Sequence, residues 1–565
     1  MQGKTTILKH VIKVTLVFLF LYGLVFLPCV AQNTDKLEYE AQSLEGGKKD
    51  GETYKKLVGK VKFTQKNTII YCDSAFAYDK TNSMEAFGHV KIVDLEDTVT
   101  ITSNKLFYDG NGRIAELRGN VVYVDDSIRL LTDNLDYDMT NKSATYFNGG
   151  KIFDGINTLE SIKGTYDTQG KMTIFSDSVT MITPDYTLES NDLVYNLLTK
   201  KARTSSKTNI TTHDGKSIKS NQMREFDTSK GTSAFFIGEV NTDKYLLKGD
   251  ELYFDNELGS YSAKGNVYLF AKEDSVIITG DQANFWQDKG IAKVYGDPLL
   301  KKSLRMDTLY LRADTLVSID DSLAVNKRLL AYNNVKIFKT DIQGKADSLA
   351  YYLSDSSISF FNDPILWNEG SQITADTIHV LVKKGTIDQL RTSVNSFIIS
   401  EDSTKNYNQI KGRQMIAHFN GKSIKDVDVN GNGESIYFVA EEENTDVLMG
   451  MNQIICSNMK IIFKENQVND IRFYTNPDGS FVPPHELKDD DKKLEGFAWR
   501  IEERPSRNEI LIAPSEILRR QKEVEEMINE EKEENTKLEK LMEEKIDLGK
   551  IKEQLKKPAK ELQQQ

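Results

Sequence analysis

The chain has 565 residues, of which 39% are hydrophobic, 28% charged and 9% aromatic, with 35 Gly and only 10 Pro. These values exclude low-complexity and collagen-like sequences, and the abundance of Tyr, Phe, Val, Ile and Thr favours β-strands. The net charge of −12 argues against a nucleic-acid partner, because such a partner needs a basic surface to replace its counterions.

The amino terminus has the features of a secretory signal peptide. Three lysines precede an apolar run over residues 14–30, and polar residues follow Ala31. We predict that residues 1–31 are a signal peptide cleaved after Ala31. A retained membrane anchor and lipidation at Cys29 are the alternatives, and in each case the remaining chain is exported.

Two short motifs alternate through most of the chain with a period of about thirty residues. The first is Gly-x-Val-x-apolar, as in Gly88-His-Val90-Lys-Ile92, and the second is Asp/Asn-x-Leu-x-aromatic, as in Asn104-Lys-Leu106-Phe-Tyr108. Both alternate with period two, which predicts strands with one apolar and one polar face. Because turn residues separate and open the motifs, the predicted unit is strand, turn, strand, turn. Such units bury a core only when stacked.

The predicted fold is therefore mainly β. We expect an elongated β-jelly-roll or solenoid of strand repeats over residues 32–395, and degenerate repeats or a cap over 396–475. Residues 476–513, with several Pro and a run of Asp, read as a linker. Residues 514–565, rich in Glu, Lys and Leu, predict a charged C-terminal α-helix that forms a marginal coiled coil or docks a partner, with a solvated tail as the alternative.

The sequence shows no constellation typical of catalysis or of a metal site. The six His residues have no zinc-ligand spacing, so we predict no metal, no cofactor and no catalytic residue. The acidic pairs Asp125-Asp126 and Asp320-Asp321 are what a polysaccharide-cleaving β-solenoid would need, but their contexts are typical of turns. Cys72 and Cys456 lie near opposite ends of the repeats, so we predict no disulfide between them.

The in-phase motifs behind an export signal resemble the OstA-like, LptA-type family, which carries lipopolysaccharide across the periplasm of double-membraned bacteria. The resemblance covers residues 37–390 and includes an Ala-x-Gly-x-Val lead-in at Ala86-Phe-Gly88-His-Val90. It implies an antiparallel, V-shaped β-jelly-roll whose apolar interior holds acyl chains. It also implies that modules join through their open strand edges.

The leading hypothesis is a non-enzymatic carrier or bridge for lipopolysaccharide in the periplasm, associated with the inner or outer membrane. The expected partners are lipopolysaccharide or a related glycolipid, other lipopolysaccharide-transport proteins added at strand edges, and further copies of this chain, but no nucleic acid. A scaffold solenoid with a filled core and a polysaccharide-acting enzyme are the alternatives. The residues predicted to line an apolar groove are the inward-facing members of both motifs: Val61, Phe63, Val90, Ile92, Leu106, Tyr108, Val121, Tyr123, Leu135, Tyr137, Val179, Leu193, Tyr195, Val240, Leu252, Phe254, Val267 and Leu269.

Overall fold

A computed structural model describes residues 36–512, apart from residues 50, 97, 274, 305, 306, 369, 384, 385, 403, 422, 442–446, 465 and 466, together with Lys522, Glu526, Asn529 and Lys532. The chain divides into two compact units, with unit 1 ending at His213 and unit 2 beginning at Asp214. The predicted signal peptide and nearly all of the predicted charged helix lie outside the described residues. Within the described part, no helix is long and apolar enough to cross a membrane.

The described part of unit 1 is built of antiparallel strands. They are β1 (Glu38–Glu40), β2 (Ser43–Lys49), β3 (Glu52–Gln65), β4 (Thr68–Tyr78), β5 (Ser83–Asp94), β6 (Val99–Asp109), β7 (Ile114–Val124), β8 (Arg129–Asp138), β9 (Ser143–Tyr146), β10 (Gly150–Asp154), β11 (Asn157–Ser161), β12 (Lys163–Asp167), β13 (Met172–Ile182), β14 (Tyr186–Asn196), β15 (Lys201–Arg203) and β16 (Thr208–Thr212).

The described part of unit 2 continues the same architecture. Its strands are β17 (Ser217–Asp227), β18 (Thr232–Asn241), β19 (Tyr245–Asp255), β20 (Ser260–Ala271), β21 (Val276–Trp286), β22 (Ile291–Tyr295), β23 (Leu299–Ser303), β24 (Thr308–Arg312), β25 (Thr315–Ile319), β26 (Arg328–Lys339), β27 (Ile342–Tyr352), β28 (Ser357–Phe361), β29 (Ile365–Asn368), β30 (Ser371–Thr374), β31 (Thr377–Lys383), β32 (Thr386–Glu401), β33 (Tyr407–Asn420), β34 (Ser423–Ala440), β35 (Leu448–Lys464), β36 (Gln467–Tyr474) and β37 (Asp478–Val482). Short 3₁₀ turns occupy Gln287–Lys289, Ala324–Asn326, Asp490–Lys492 and Ile501–Glu503, and helix α1 spans Arg507–Leu511. The prediction of a mainly β, repeat-built fold is confirmed.

The motif glycines lie inside long strands and not at strand starts, so the prediction that a turn residue opens this motif is wrong, although turns do separate successive strands as predicted. Gly88 falls in the middle of β5, where Gly88 (φ +73°) and His89 (φ 41°) form a β-bulge at which the register shifts between Phe87 and Val90. A bulge inserts an extra residue and bends the strand without ending it. Glycine suits this position because it adopts positive φ without a steric penalty.

The two motifs recur together because they meet at these bends. A Cβ on Gly88 would lie 2.4 Å from Oδ2 of Asp73 on the preceding strand, and a Cβ on Gly265 would lie 2.4 Å from Oδ2 of Asp250. The Asp73 carboxylate also lies 2.7 Å from Nδ1 of His89, the residue after the glycine. The glycine of one motif therefore leaves room for the Asp or Asn side chain of the other.

The two halves of a bent strand pair with different neighbours, so each unit has two antiparallel ladders. In unit 1 the first half of β8 pairs with β10 and its second half with β9. In unit 2 the first half of β21 pairs with β23 and its second half with β22. In unit 1 we call the ladder through β9 and β12 the first and the ladder through β10 and β11 the second. In unit 2 the first ladder is the one through β22, β25, β28 and β31, and the second is the one through β23, β24, β29 and β30.

Candidate functional site: an apolar cavity in unit 2

An apolar cavity of about 530 Å³ lies between the two ladders of unit 2. The first ladder contributes Leu316, Leu349 and Phe360, and the second contributes Leu300, Leu311 and Ile337. These side chains face inward because apolar residues alternate with outward-facing ones along each strand. A cavity of this volume with an apolar lining is typical of a small-molecule or lipid site.

Charged side chains of the lining lie at strand ends around this apolar interior. Lys302 is near the end of β23, Lys339 ends β26, and Asp341 follows in the turn to β27. Lys339 forms an ion pair with Asp341, and its Nζ lies 4.0 Å from Oδ2 of Asp307. These groups all belong to the second ladder, so their ion pairs do not join it to the first.

Unit 1 differs because buried polar contacts join its two ladders at the strand ends. Asp125, after β7 in the second ladder, accepts hydrogen bonds from the Tyr166 hydroxyl (2.8 Å) and the Lys171 ammonium (3.1 Å), which belong to the first. Asp154 likewise accepts from the Tyr195 hydroxyl (3.0 Å) and a Lys200 ammonium (2.8 Å). We call each of these groups a clasp.

Two further clasps precede these along unit 1. The Tyr108 hydroxyl donates to Oε1 of Gln65 (2.6 Å), and the ammonium of Lys142 lies 3.7 Å from Oδ2 of Asp94. Gln65, Asp94 and Lys142 are all buried. Burying a polar or charged group is costly unless it is paired, and the four clasps pair such groups across the strand ends of unit 1, beside its buried core.

The protonation states of the clasp residues favour these contacts. Burial alone would raise the pKa of the Asp125 carboxyl, but hydrogen bonds from the Ile128 and Ser127 amides, Tyr166 and Lys171 outweigh it and hold that pKa below its usual value. Burial raises the pKa of Tyr108 to about 12. At neutral pH the acid is therefore charged, and the tyrosine hydroxyl keeps the proton that it donates.

The sequence contains a signal for the clasps that the two motifs do not include. A basic residue stands five positions after the motif tyrosine in four copies, at Tyr108/Arg113, Tyr137/Lys142, Tyr166/Lys171 and Tyr195/Lys200. In unit 2 the same positions read Phe254/Gly259, Phe285/Gly290 and Tyr351/Ser356. These copies lack the cation, and two of them also lack the hydroxyl. The loss occurs in the unit that holds the cavity, and one of these pairs, Tyr351 and Ser356, lines it.

The structure places most of the predicted groove residues in the core of unit 1. Thirteen of the eighteen belong to unit 1 and are buried, and Tyr108 and Tyr195 among them are clasp residues. Of the five in unit 2, Leu269 lines the cavity, Phe254 is half-buried, and Val240, Leu252 and Val267 are buried. The prediction treated all motif copies as equivalent and so did not name the lining on β23–β31. That any of the eighteen binds a ligand stays a prediction.

The acidic pairs considered for catalysis lie in turns. Asp125 accepts from the Ser127 and Ile128 amides in addition to its clasp partners, and Asp321 accepts from the Leu323 amide (2.8 Å). Asp320 forms an ion pair with Lys327. These are the local hydrogen bonds that make Asp favourable in turns.

One cluster of titratable side chains was not predicted. Atoms of His418, Asp426 and Asp428 lie within 4.8 Å of one another on β33 and β34. The ammonium of Lys460 is 3.0 Å from a carboxylate oxygen of each Asp. Because this ammonium supplies the positive charge that a metal ion would bring, we interpret the cluster as a salt-bridge network.

Comparison with known sequences divides the chain in the same way as the structure. Residues 34–191 match the family described as "OstA-like protein". Residues 249–386 match the family described as "LptA/(LptD N-terminal domain) LPS transport protein". The cavity lies largely within the second segment, and the four clasps lie mainly within the first. Among curated proteins, no match was found.

A search of solved structures matched LptH from Pseudomonas aeruginosa, described as "the LptA homologous periplasmic component of the conserved lipopolysaccharide transport device". The match has 15% sequence identity, covers 21% of this chain and 82% of LptH, and has a TM-score of 0.19, which is too low to inform the fold. The two family matches together span slightly more than half of the chain. The chain is therefore similar to OstA-like proteins in unit 1 and to the LptA/LptD N-terminal family of lipopolysaccharide-transport proteins in unit 2.

Proposed function

We propose that this chain is a non-enzymatic carrier of lipopolysaccharide and that the unit 2 cavity holds the acyl chains. The observation that carries this proposal is the apolar cavity between the two ladders, located in the segment similar to LptA and the LptD N-terminal domain. Each methylene moved from water into such a site contributes about 0.8 kcal/mol. About ten buried methylenes therefore contribute about 8 kcal/mol before the cost of ordering the chain.

The charged rim suits an anionic glycolipid whose head stays outside the cavity. Lys302 and Lys339 lie where an acyl chain would leave the apolar interior, and Lys339 is already paired with Asp341. The ammonium group of Lys302 places positive charge beside the phosphates of an emerging head group, although the chain as a whole carries a net charge of −12. A related glycolipid with the same combination of acyl chains and phosphate would make the same contacts with the apolar lining and the charged rim.

Unit 1 is proposed to serve as a closed structural segment of a periplasmic bridge. Its filled core and clasps favour the scaffold hypothesis for this half of the chain. Other lipopolysaccharide-transport proteins, or further copies of this chain, would then add at strand edges. Among the described strands, β36 and β37 each pair on one side, with β35, and leave hydrogen-bonding groups for an added strand.

Site-specific photo-crosslinking in cells tests the assignment of the cavity. A photo-crosslinking residue at Leu311, which lines the cavity, is expected to form a lipopolysaccharide adduct. The matched control is Val121, an equally buried position in the filled core of unit 1, where we expect no adduct. Absence of an adduct at Leu311 would refute the assignment to the cavity. Adducts of equal yield at both positions would show that unit 1 also opens.

Extraction of the purified protein gives a second measurement. Lipid mass spectrometry should detect lipopolysaccharide with the unmodified chain and lose it with Leu311→Asp, because a carboxylate in the cavity raises the cost of burying an acyl chain. Leu252→Asp, a buried position of unit 2 outside the lining, controls for loss of folding. A folded chain free of lipid before any substitution would favour the scaffold hypothesis for the whole protein.

A further inference from the structure

Residues 483–512, which we call the strap, lie across the outer face of the second ladder of unit 2. The sequence analysis placed them in a linker, and their composition gives no sign of these contacts. The strap crosses the strands from β33 back to β24, opposite in direction to the order of the strands in the chain. Arg312 on β24 donates from Nε to the carbonyl of Ile510 (2.7 Å), close to the end of the strap.

Two buried glutamines hold the main chain of the strap in the same way. Nε2 of Gln409 donates to the carbonyl of Lys492 (2.7 Å), and its Oε1 accepts from the amide of Leu494 (2.8 Å). Nε2 of Gln372 donates to the carbonyl of Ala498 (2.7 Å), and its Oε1 accepts from the amide of Arg500 (2.7 Å). Each side-chain amide thus bonds the carbonyl of one strap residue and the amide two residues later.

The backbone N–H and C=O of a residue in a neighbouring strand would make the same two hydrogen bonds to an extended chain. Gln372 and Gln409 are both fully buried, so their amides need partners, and the strap supplies them. The contacts repeat after six strap residues, from Lys492/Leu494 to Ala498/Arg500. Because the contacts are to backbone atoms, they do not depend on which side chains the strap carries.

The glutamines belong to a cross-strand row on the second ladder. In register, Gln409 lies opposite Ile399, Ile399 opposite Gln372, Gln372 opposite Trp367, and Trp367 opposite Gln343. We call this set the glutamine row. A glutamine therefore stands on every second strand, about 9.5 Å apart at the usual strand spacing. Gln343 continues the row by accepting from Nε of Arg504 (2.7 Å), a side-chain contact in the strap.

Side chains add a second layer of contacts between the strap and the ladder. Leu494 packs in a buried cluster with Phe397 and Ile436, and the Trp499 ring lies 5.3 Å from that of Tyr407. Ile510 is fully buried. These contacts orient the strap, while the glutamine pairs bind its backbone.

We propose that the glutamine row is a peptide-binding site that recognises the main chain, and that residues 489–512 of this chain bind it as a separable ligand. The proposal concerns the outer face of the second ladder and does not depend on lipid in the cavity. It gives the chain a docking site for a peptide main chain, occupied here by its own strap.

Cleavage of the full-length chain tests the proposal. A protease recognition sequence inserted between the exposed residues Lys488 and Asp489 allows the strap to be cut from the β-strands after folding. The fragment from Asp489 onward is expected to stay bound in size-exclusion chromatography. A labelled synthetic peptide of residues 489–512 is expected to exchange into the site. A fragment that leaves at once, or a site that the peptide never enters, would overturn the proposal.

Modified peptides separate main-chain from side-chain recognition without changing the protein. N-methylation of the Leu494 and Arg500 amides removes the two donors to the glutamines, and it is expected to weaken competition about tenfold or more per amide. A methylated peptide that competes as well as the unmodified one would show that side chains alone hold the strap.

Substitution of the glutamines gives the complementary test. Gln372→Met with Gln409→Met keeps side-chain length but removes the amides, and it should release the cleaved fragment. The matched control is Gln389→Met on the first ladder, whose amide bonds His418 and not the strap. Equal retention of the fragment in both variants would overturn the proposal. The methylated peptides decide the matter if the double variant does not fold.

Discussion

Replacing Asp125 by Asn tests whether the clasps hold the two ladders of unit 1 together. Asn keeps the shape of the side chain and one oxygen that accepts from the Ser127 and Ile128 amides (2.7 and 2.8 Å). Its amide group then faces the Tyr166 hydroxyl and the Lys171 ammonium, both of which are donors. The ammonium also loses its counter-charge at a site where the Asp125 side chain is 1% exposed.

The expected loss follows from the contacts removed. Two hydrogen bonds to a charged acceptor, each contributing about 1.5–3 kcal/mol, give a loss of about 3–6 kcal/mol in the free energy of opening unit 1. Breaking a buried ion pair by removing one partner costs about the same, ~3–5 kcal/mol. The pKa of Asp125 is lowered in the folded state. Its contribution to the stability of unit 1 is therefore complete above the ordinary carboxyl pKa and is lost as pH falls through the lowered value. The difference between variant and parent should therefore shrink in acid.

Hydrogen exchange of backbone amides in β7 and β12 measures this effect locally, independently of unit 2. Asp125→Asn is expected to accelerate exchange in both strands by a factor of about 100 or more. The matched control is Asp126→Asn, whose exposed side chain accepts a hydrogen bond from Thr98 outside the clasp. If the free energies of opening of the two variants differ by less than about 0.5 kcal/mol, the clasps do not hold the ladders together and the reasoning is refuted.

Three further predictions concern the bends and the strap. Gly88→Ala places a Cβ at a residue of positive φ and 2.4 Å from a carboxylate oxygen, so it should destabilise unit 1 by about 1–3 kcal/mol, measured by urea unfolding. Gly51→Ala is the control, because Gly51 also has positive φ but lies in open space, and it should cost less stability. Hydrogen bonds from Arg500, which is itself in the strap, and from Lys345 on β27 lower the pKa of Glu503 to about 2. Only the Lys345 contact joins the strap to the ladder, and it is complete above pH 4.5 and is lost as pH falls toward 2. Limited proteolysis of the strap should follow this dependence, and Glu503→Gln should remove it. Trp367→Ala removes a fully buried side chain of the glutamine row and should lower unfolding free energy by about 3–5 kcal/mol, with a change below 1 kcal/mol contradicting its role beneath the strap.

The mainly β fold and the repeat were predictable from the sequence because they depend on local patterning. Alternation with period two sets which face of a strand is apolar, wherever that strand lies in the molecule. Val121 and Leu252, predicted to face inward, are both buried for this reason. The family resemblance followed from the same motifs, because their period of about thirty residues reflects the length of two bent strands and their turns.

The position of the cavity could not be predicted from the motifs, because it depends on which strand ends are joined by clasps. Asp125 reaches Tyr166 and Lys171 across 41 and 46 residues of sequence, and only the paired ladders bring them together. Once the clasp is known, the change from Lys200 to Gly259 at equivalent positions becomes informative. Without it, all copies of the motif looked equivalent.

The sequence by itself determined the strands, their apolar faces and their period, whereas the tertiary structure decided which unit has clasps between its ladders, which unit holds a cavity and what covers the outer face of the second ladder of unit 2. The strap shows the reason most directly, since Gln372 reaches the main chain of a segment 126 residues away. Backbone groups of the strap are the same in every sequence, so no residue pattern announces that a buried glutamine pairs with them. Only the register of the second ladder, which aligns Gln372 and Gln409 on alternate strands, creates the site.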